Sequence, residues 1–100
     1  MKVAVFGGAG FLGSYIVGEL LKRSYNVLVL DVYRSEYIPE ENYQYLDILD
    51  KDKLSELFNE NDFDVVYNLA GFANLDKAIN FPHRTFELNV MGNLNILEEA

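Results

Sequence analysis

The sequence contains no cysteine, which excludes disulfides, thiolate metal sites and a cysteine nucleophile. It also lacks any apolar run near the roughly 18 residues that a membrane-spanning helix needs. Gly7, Gly8, Gly10, Gly13 and Ser14 interrupt the N-terminal apolar region, and that region begins without the layout of a cleavable signal peptide. These absences fit a cytoplasmic protein. Bases are outnumbered, with 8 Lys and Arg against 16 Asp and Glu and a formal net charge of −8. The excess lies between Asp31 and Asp64, where eleven acids face only Arg34, Lys51 and Lys53, and the rest of the chain is balanced. Such a surface disfavours nucleic acid and anionic membranes as partners, and the acidic stretch reads as a solvated face. An anionic small ligand remains compatible with the neutral N-terminal segment.

What is present is ordinary globular composition, 50% hydrophobic and 24% charged over 100 residues, enough for one small domain with a single core. Strand-like and helix-like segments alternate. Lys2–Phe6 is a short apolar run ended by glycines, suited to a strand buried on both faces. From Phe11 to Arg23, Leu12, Ile16, Val17, Leu20 and Leu21 recur at helical spacing. Asn26–Leu30 reads as a second strand closed by Asp31, residues 32–42 as a loop, and Tyr43–Leu46 as a short third strand. Leu54, Leu57 and Phe58 mark a helix with Asp50 or Asp52 as its N-cap. Phe63–Leu69 reads as a fourth strand and Asn74–Asn80 as a helical turn or two. Pro82 then opens a helix with the apolar face Phe86, Val90, Leu94 and Leu97. This alternation predicts a parallel sheet covered on both sides. Right-handed crossovers give strand order 3-2-1-4, one half of a Rossmann-type doubly wound α/β fold. The last helix still carries its apolar pattern at Ala100, and Val65–Leu69 would form an uncovered apolar edge. Residues 1–100 are therefore expected to be the N-terminal part of a longer domain, and alone to aggregate or pair through that edge.

The segment Phe6-Gly7-Gly8-Ala9-Gly10-Phe11-Leu12-Gly13 satisfies G-x-G-x-x-G from Gly8 and G-x-x-G-x-x-G from Gly7. Both patterns let the chain turn sharply, bring backbone N–H groups to a pyrophosphate and pack the helix closely on the strand. The helix N-terminus adds the positive end of its dipole. The context, a buried strand before and an amphipathic helix after, is the one a dinucleotide fingerprint requires. Asp31 lies eighteen residues beyond Gly13, at the end of the second strand. There a carboxylate accepts hydrogen bonds from adenosine ribose hydroxyls and repels a 2′-phosphate, favouring NAD over NADP. Arg34 lies close enough in sequence to oppose that preference.

Four segments resemble the extended short-chain dehydrogenases/reductases, the branch of NAD-dependent epimerases and dehydratases. Gly7-Gly-Ala-Gly10-Phe-Leu-Gly13 matches the branch's glycine loop, with Phe6 where a threonine is common. Asp47-Ile48-Leu49-Asp50 resembles its D-x-x-D segment. Asn68-Leu-Ala-Gly71 resembles the motif ending strand four, and Pro82 through Asn89-Val-Met-Gly92-Asn-Leu-Asn-Ile-Leu97 the helix that follows. The resemblance implies that Gly7, Gly10, Phe11, Leu12 and Gly13 receive the cofactor phosphates. It also implies that Asp47 and Ile48 meet the adenine and that Leu69, Ala70 and Gly71 back the nicotinamide ribose. The parent would be a homodimeric enzyme using NAD to oxidise a nucleotide-linked sugar and then epimerise, dehydrate or reduce the keto sugar. From the residues alone, the alternative for Asp47 is to cap a turn, and for Ala70 and Gly71 to satisfy close packing. Asn89 suits a structural hydrogen bond, Lys77 a solvated position, and His83 has no assigned role.

The branch's Tyr-x-x-x-Lys proton-transfer pair is missing, since Asp47, Leu49 and Ala73 precede Lys51, Lys53 and Lys77 by four positions. The chain holds cofactor-binding features and no catalytic residues, so no turnover is expected of it alone. The rival readings are a non-catalytic NAD(P)-sensing regulatory protein and a short-chain reductase of a non-sugar carbonyl.

Overall fold

A computed structural model describes residues 1–70 and 93–99. The expected helical turn Asn74–Asn80, the start of the helix opened by Pro82, and Gly71, Lys77, His83, Phe86, Asn89 and Val90 lie outside the described residues. The elements in chain order are β1 (Lys2–Phe6), α1 (Phe11–Lys22), β2 (Asn26–Asp31), β3 (Tyr43–Tyr45), α2 (Lys51–Glu60), β4 (Val65–Asn68) and α3 (Asn93–Glu99). A single 3-10 turn, Glu40–Asn42, precedes β3. The strands form one sheet in the order β3-β2-β1-β4, all pairs parallel.

Side-chain alternation along β1 and β2 divides the interior into two layers. Val3, Val5, Val27 and Val29 join Val17 and Leu20 of α1 and the loop residue Ile38 on one face. Ala4, Phe6 and Leu30 join Leu54 and Leu57 of α2, Ile96 of α3, and Leu46 and Ile48 on the other. Phe6 stacks on Phe58 with ring centroids 6.2 Å apart, and Phe58 meets Phe63 edge-on at 5.6 Å. Of the two expected N-caps for α2 it is Asp50 that serves, its carboxylate accepting from the Lys53 N–H at 3.1 Å.

Two expected apolar faces need correction. Leu12 is 60% exposed. The residues of α1 that pack into the layer are Val17 and Leu20, with Ile16 and Leu21 partly buried against it, while in the first turn it is Gly13 that packs, against the glycine turn. In α3, Leu94 and Leu97 are exposed while Asn95 and Ile96 are buried. The stripe is real, but α3 turns its other side to the core. Ile96 enters the layer against α2, and the Asn95 amide reaches the Ile48 carbonyl at 3.0 Å. Strand ends also contract slightly, to Tyr45 in β3 and to Val65–Asn68 in β4.

Gly18 faces open space on α1, with nothing among the described residues within 4 Å of a Cβ built there. Gly18→Ala should therefore raise stability by about 0.5–1 kcal/mol, read as a Tm higher by a few degrees in a thermal melt. Gly13→Ala, whose Cβ would fall 2.6 Å from the Gly7 carbonyl oxygen, should lower Tm in the same assay.

Candidate functional site

Because all four strands run the same way, the turns after β1, β2, β3 and β4 gather along one edge of the sheet. The strand order reverses between β1 and β4, and open α/β sheets bind ligands at such a point. The expected site residues other than Gly71, which lies outside the described residues, fall on this edge. The pairing Phe6↔Leu30 and Phe6↔Asn68 sets the glycine turn between the ends of β2 and β4.

The turn is held from both sides by its backbone. Gly7 N–H donates to the Leu30 carbonyl at 2.8 Å, and Leu69 N–H donates to the Phe6 carbonyl at 2.8 Å. Gly7 adopts φ +77°, and a Cβ there would lie 2.7 Å from the Ala70 nitrogen and the Leu69 carbonyl carbon. The positive φ falls on Gly7, while a Cβ at Gly8 would lie 2.7 Å from the Val29 side chain, so the glycines that open both patterns are constrained. Gly13 is constrained equally, since its Cα rests against the Gly7–Gly8 backbone. Gly10 differs. Its φ of −75° suits any residue, and a Cβ would meet only the Gly7 oxygen, at 3.6 Å. Among the described residues nothing fills the space above Gly10.

Gly10 is also the N-cap of α1, and no side chain among the described residues caps that end. The 12-residue helix thus leaves its first-turn N–H groups available, with the dipole's positive end beside them. Backbone donors, an open approach and a helix dipole together fit a phosphate-bearing ligand.

Asp31 closes the other side. One carboxylate oxygen accepts from the Ala9 N–H of the glycine turn at 3.1 Å, and the other accepts from the Tyr33 N–H at 3.1 Å. Its backbone carbonyl accepts from the Leu46 N–H at 3.2 Å and from the Tyr43 hydroxyl at 2.9 Å. One residue therefore ties the turns after β1, β2 and β3 together, and its half-buried carboxylate keeps further acceptor positions. Neither Ala9 nor Tyr43 stood out in the sequence. Parallel pairing of Tyr43 with Val29, two positions before Asp31, is the arithmetic that finds Tyr43.

Asp47 is half-buried and accepts from the Leu49 N–H at 3.0 Å, closing its own turn. Ile48 buries its side chain in the core, so only its backbone lines the edge, with its carbonyl taken by Asn95. The Asn95 Oδ1 atom is buried with no partner among the described residues. Leu69 packs on the α1 layer and Ala70 on the opposite one, and both press against Gly7. Phe11 begins α1, Leu12 is exposed on its first turn, and Gly71 lies outside the described residues. A cavity of about 430 Å³ between α1 and β4, lined by Met1, Tyr15, Tyr25 and Tyr67 among others, includes none of these residues. No group of acids and histidines among the described residues has the arrangement of a metal site.

Burial, with the Asp31 charge adding to it and Arg34 opposing, pushes the Tyr43 phenol above its ordinary 10.0. The folded state thus favours the protonated phenol. That stabilisation is complete below the ordinary tyrosine value and is lost as pH rises through the raised one. Denaturant midpoints measured from pH 8 upward should fall above about pH 10, and less steeply in Tyr43→Phe than in the wild type.

Comparison with known proteins places this geometry. A profile of the NAD dependent epimerase/dehydratase family matches residues 3–100. The UDP-glucose 4-epimerase of Lactobacillus helveticus is 32% identical over 102 residues, which cover 98% of this chain and 31% of that protein. The crystal structure of the Thermus thermophilus UDP-glucose 4-epimerase in complex with NAD is similar at TM-score 0.88 and 36% identity, over 99% of this chain and 33% of that one. The Thermotoga maritima UDP-glucose 4-epimerase with UDP-glucose gives TM-score 0.90 at 30% identity, with coverage of 99% and 33%. The chain spans about a third of the length of these proteins. Family profile, sequence identity and sheet order agree, and the chain belongs to the NAD-dependent epimerase/dehydratase family.

Proposed function

We propose that this chain is the N-terminal, NAD-binding part of a sugar-nucleotide epimerase or dehydratase. The observation that carries the reading is the uncapped N-terminus of α1 behind an unobstructed Gly10, with the Asp31 carboxylate directly across the turn. Gly7, Gly10, Phe11, Leu12 and Gly13 form the turn and first helical residues that hold the pyrophosphate. Asp31 accepts from the adenosine ribose, Asp47 and the Ile48 backbone border the adenine, and Leu69, Ala70 and Gly71 flank the nicotinamide ribose. NAD, when bound, supplies the hydride acceptor for oxidation of a sugar hydroxyl. The residues of this chain bind and orient it, and no Tyr-x-x-x-Lys pair occurs among them. Relatives named as UDP-glucose 4-epimerases, one crystallised with UDP-glucose, support a nucleotide sugar as the substrate. In this reading the whole protein is a cytoplasmic homodimer whose partners are small molecules, neither nucleic acid nor membrane. The acidic charge supports the exclusion, and no helix among the described residues is long and apolar enough to cross a membrane.

Calorimetric titration with NAD tests the reading. Gly10→Ala should weaken NAD binding at least about ten-fold while changing stability by no more than about 1 kcal/mol, the effect of an altered N-cap. Asp31→Asn removes a charged acceptor worth about 1.5–3 kcal/mol, so affinity should fall roughly ten- to hundred-fold. Unchanged affinity in both variants would overturn the assignment.

A further inference from the structure

Arg34 is the one base near the Asp31 carboxylate in sequence, and among the described residues its contacts fall within its own loop and β3. Its guanidinium lies over the Tyr43 ring, 4.9 Å from the centroid, and its Nη1 donates to the Ser35 carbonyl. The path that puts it there is built into the loop. The Asp31 carboxylate accepts from the Tyr33 N–H, which turns the chain as it leaves β2. Four residues beyond Arg34, Ile38 is buried in the α1-side layer, and its N–H donates to the Ser35 carbonyl at 3.2 Å. Between these two anchors the Arg34 side chain extends over β3, where the half-buried Tyr43 supplies the surface on which it rests. The Tyr43 hydroxyl meanwhile donates to the Asp31 carbonyl at 2.9 Å.

We infer that Tyr43 is a specificity-determining positioning residue, whose hydroxyl holds the backbone of Asp31 while its ring keeps the Arg34 guanidinium away from the ribose 2′ position. This rests on the NAD-binding reading above. Asp31 and Arg34 carry opposite instructions for that position. A carboxylate accepts from a 2′-hydroxyl and repels a 2′-phosphate, whereas a guanidinium attracts the phosphate in a bidentate contact. With Arg34 stacked on an aromatic face and bonded to a carbonyl, the Asp31 instruction prevails. Tyr43 thus acts on both partners without touching the ligand. The stack of the guanidinium on the half-buried Tyr43 ring is equivalent to about two- to five-fold in population. That is weak enough for one substitution to release it.

The test is the ratio of NADP to NAD dissociation constants, measured by titration on the full chain for wild type, Tyr43→Phe, Tyr43→Leu, Arg34→Ala and the double variant Tyr43→Leu/Arg34→Ala. Tyr43→Phe keeps the ring and should leave the ratio within about two-fold, with NAD binding itself weakened by loss of the bond to Asp31. Tyr43→Leu should shift the ratio toward NADP by about two- to five-fold, and the double variant should abolish the shift. Arg34→Ala alone should weaken NADP binding by less than about five-fold, because the stacked guanidinium is mostly withheld from the phosphate. This arm decides the matter even if Tyr43→Leu fails to fold. An unmoved ratio in folded Tyr43→Leu, a shift that survives in the double variant, or a loss of NADP affinity beyond about ten-fold in Arg34→Ala would overturn the inference. A folded wild type that binds neither nucleotide would instead overturn the NAD reading on which it stands.

Discussion

The contact between the β1–α1 turn and the end of β4 governs the rest of this structure. At Gly7 two backbones meet with no room for a methyl group, at a positive φ that side chains rarely tolerate. The approach lets β1 pair with β2 and β4 through its last residue, and so places three strand ends within one ligand's reach. Gly13 repeats the constraint from the helix side. Were either spacing larger, α1 would tilt away and its N–H groups would no longer address the edge of the sheet. The turn is a consequence of packing before it is a binding element.

Asp31 is the second organiser. It holds the turns after three strands through its carboxylate and its carbonyl. A charge in such a position is stabilised by the backbone dipoles it accepts from, which allows an acid to sit half-buried beside the turn with no ion pair to a base among the described residues. Nearby bases are unnecessary for the fold, which is consistent with an edge so rich in carboxylates.

Much of this was legible in the sequence because it depends on local chemistry. The unbroken apolar runs Val3–Phe6 and Val27–Leu30 announced strands buried on both faces, and alternation with helices gave the order 3-2-1-4. The glycine spacing and the position of Asp31 identified the edge. What could not be read was whatever depends on which way an element turns after it forms. The stripe of Leu94 and Leu97 has helical spacing, yet spacing does not say whether a stripe faces the core, and here Ile96 and the polar Asn95 are buried instead. Leu12 fails for a related reason, since it lies on the exposed side of the first turn while its neighbour Gly13 packs inward. Ile38 was hidden in a polar loop, and the roles of Tyr43 and Asn95 exist only through partners distant in sequence. The Asp47 side chain showed both faces of the problem, because capping its own turn and bordering a ligand call for the same residue.

The bare N-terminus of α1 has a thermodynamic side. Most helices satisfy their first donors with a Ser, Thr, Asp or Asn, and α2 does so with Asp50. At α1 the cap is a glycine with nothing to offer. An anion binding there completes the helix, and by mass action anything that binds only the folded chain stabilises it by RT ln(1 + [L]/Kd). At a hundred times Kd that amounts to about 2.7 kcal/mol, a sizeable part of what holds a domain this small together. The ligand is then the missing cap, and the chain's resistance to unfolding becomes a readout of how much of it is present.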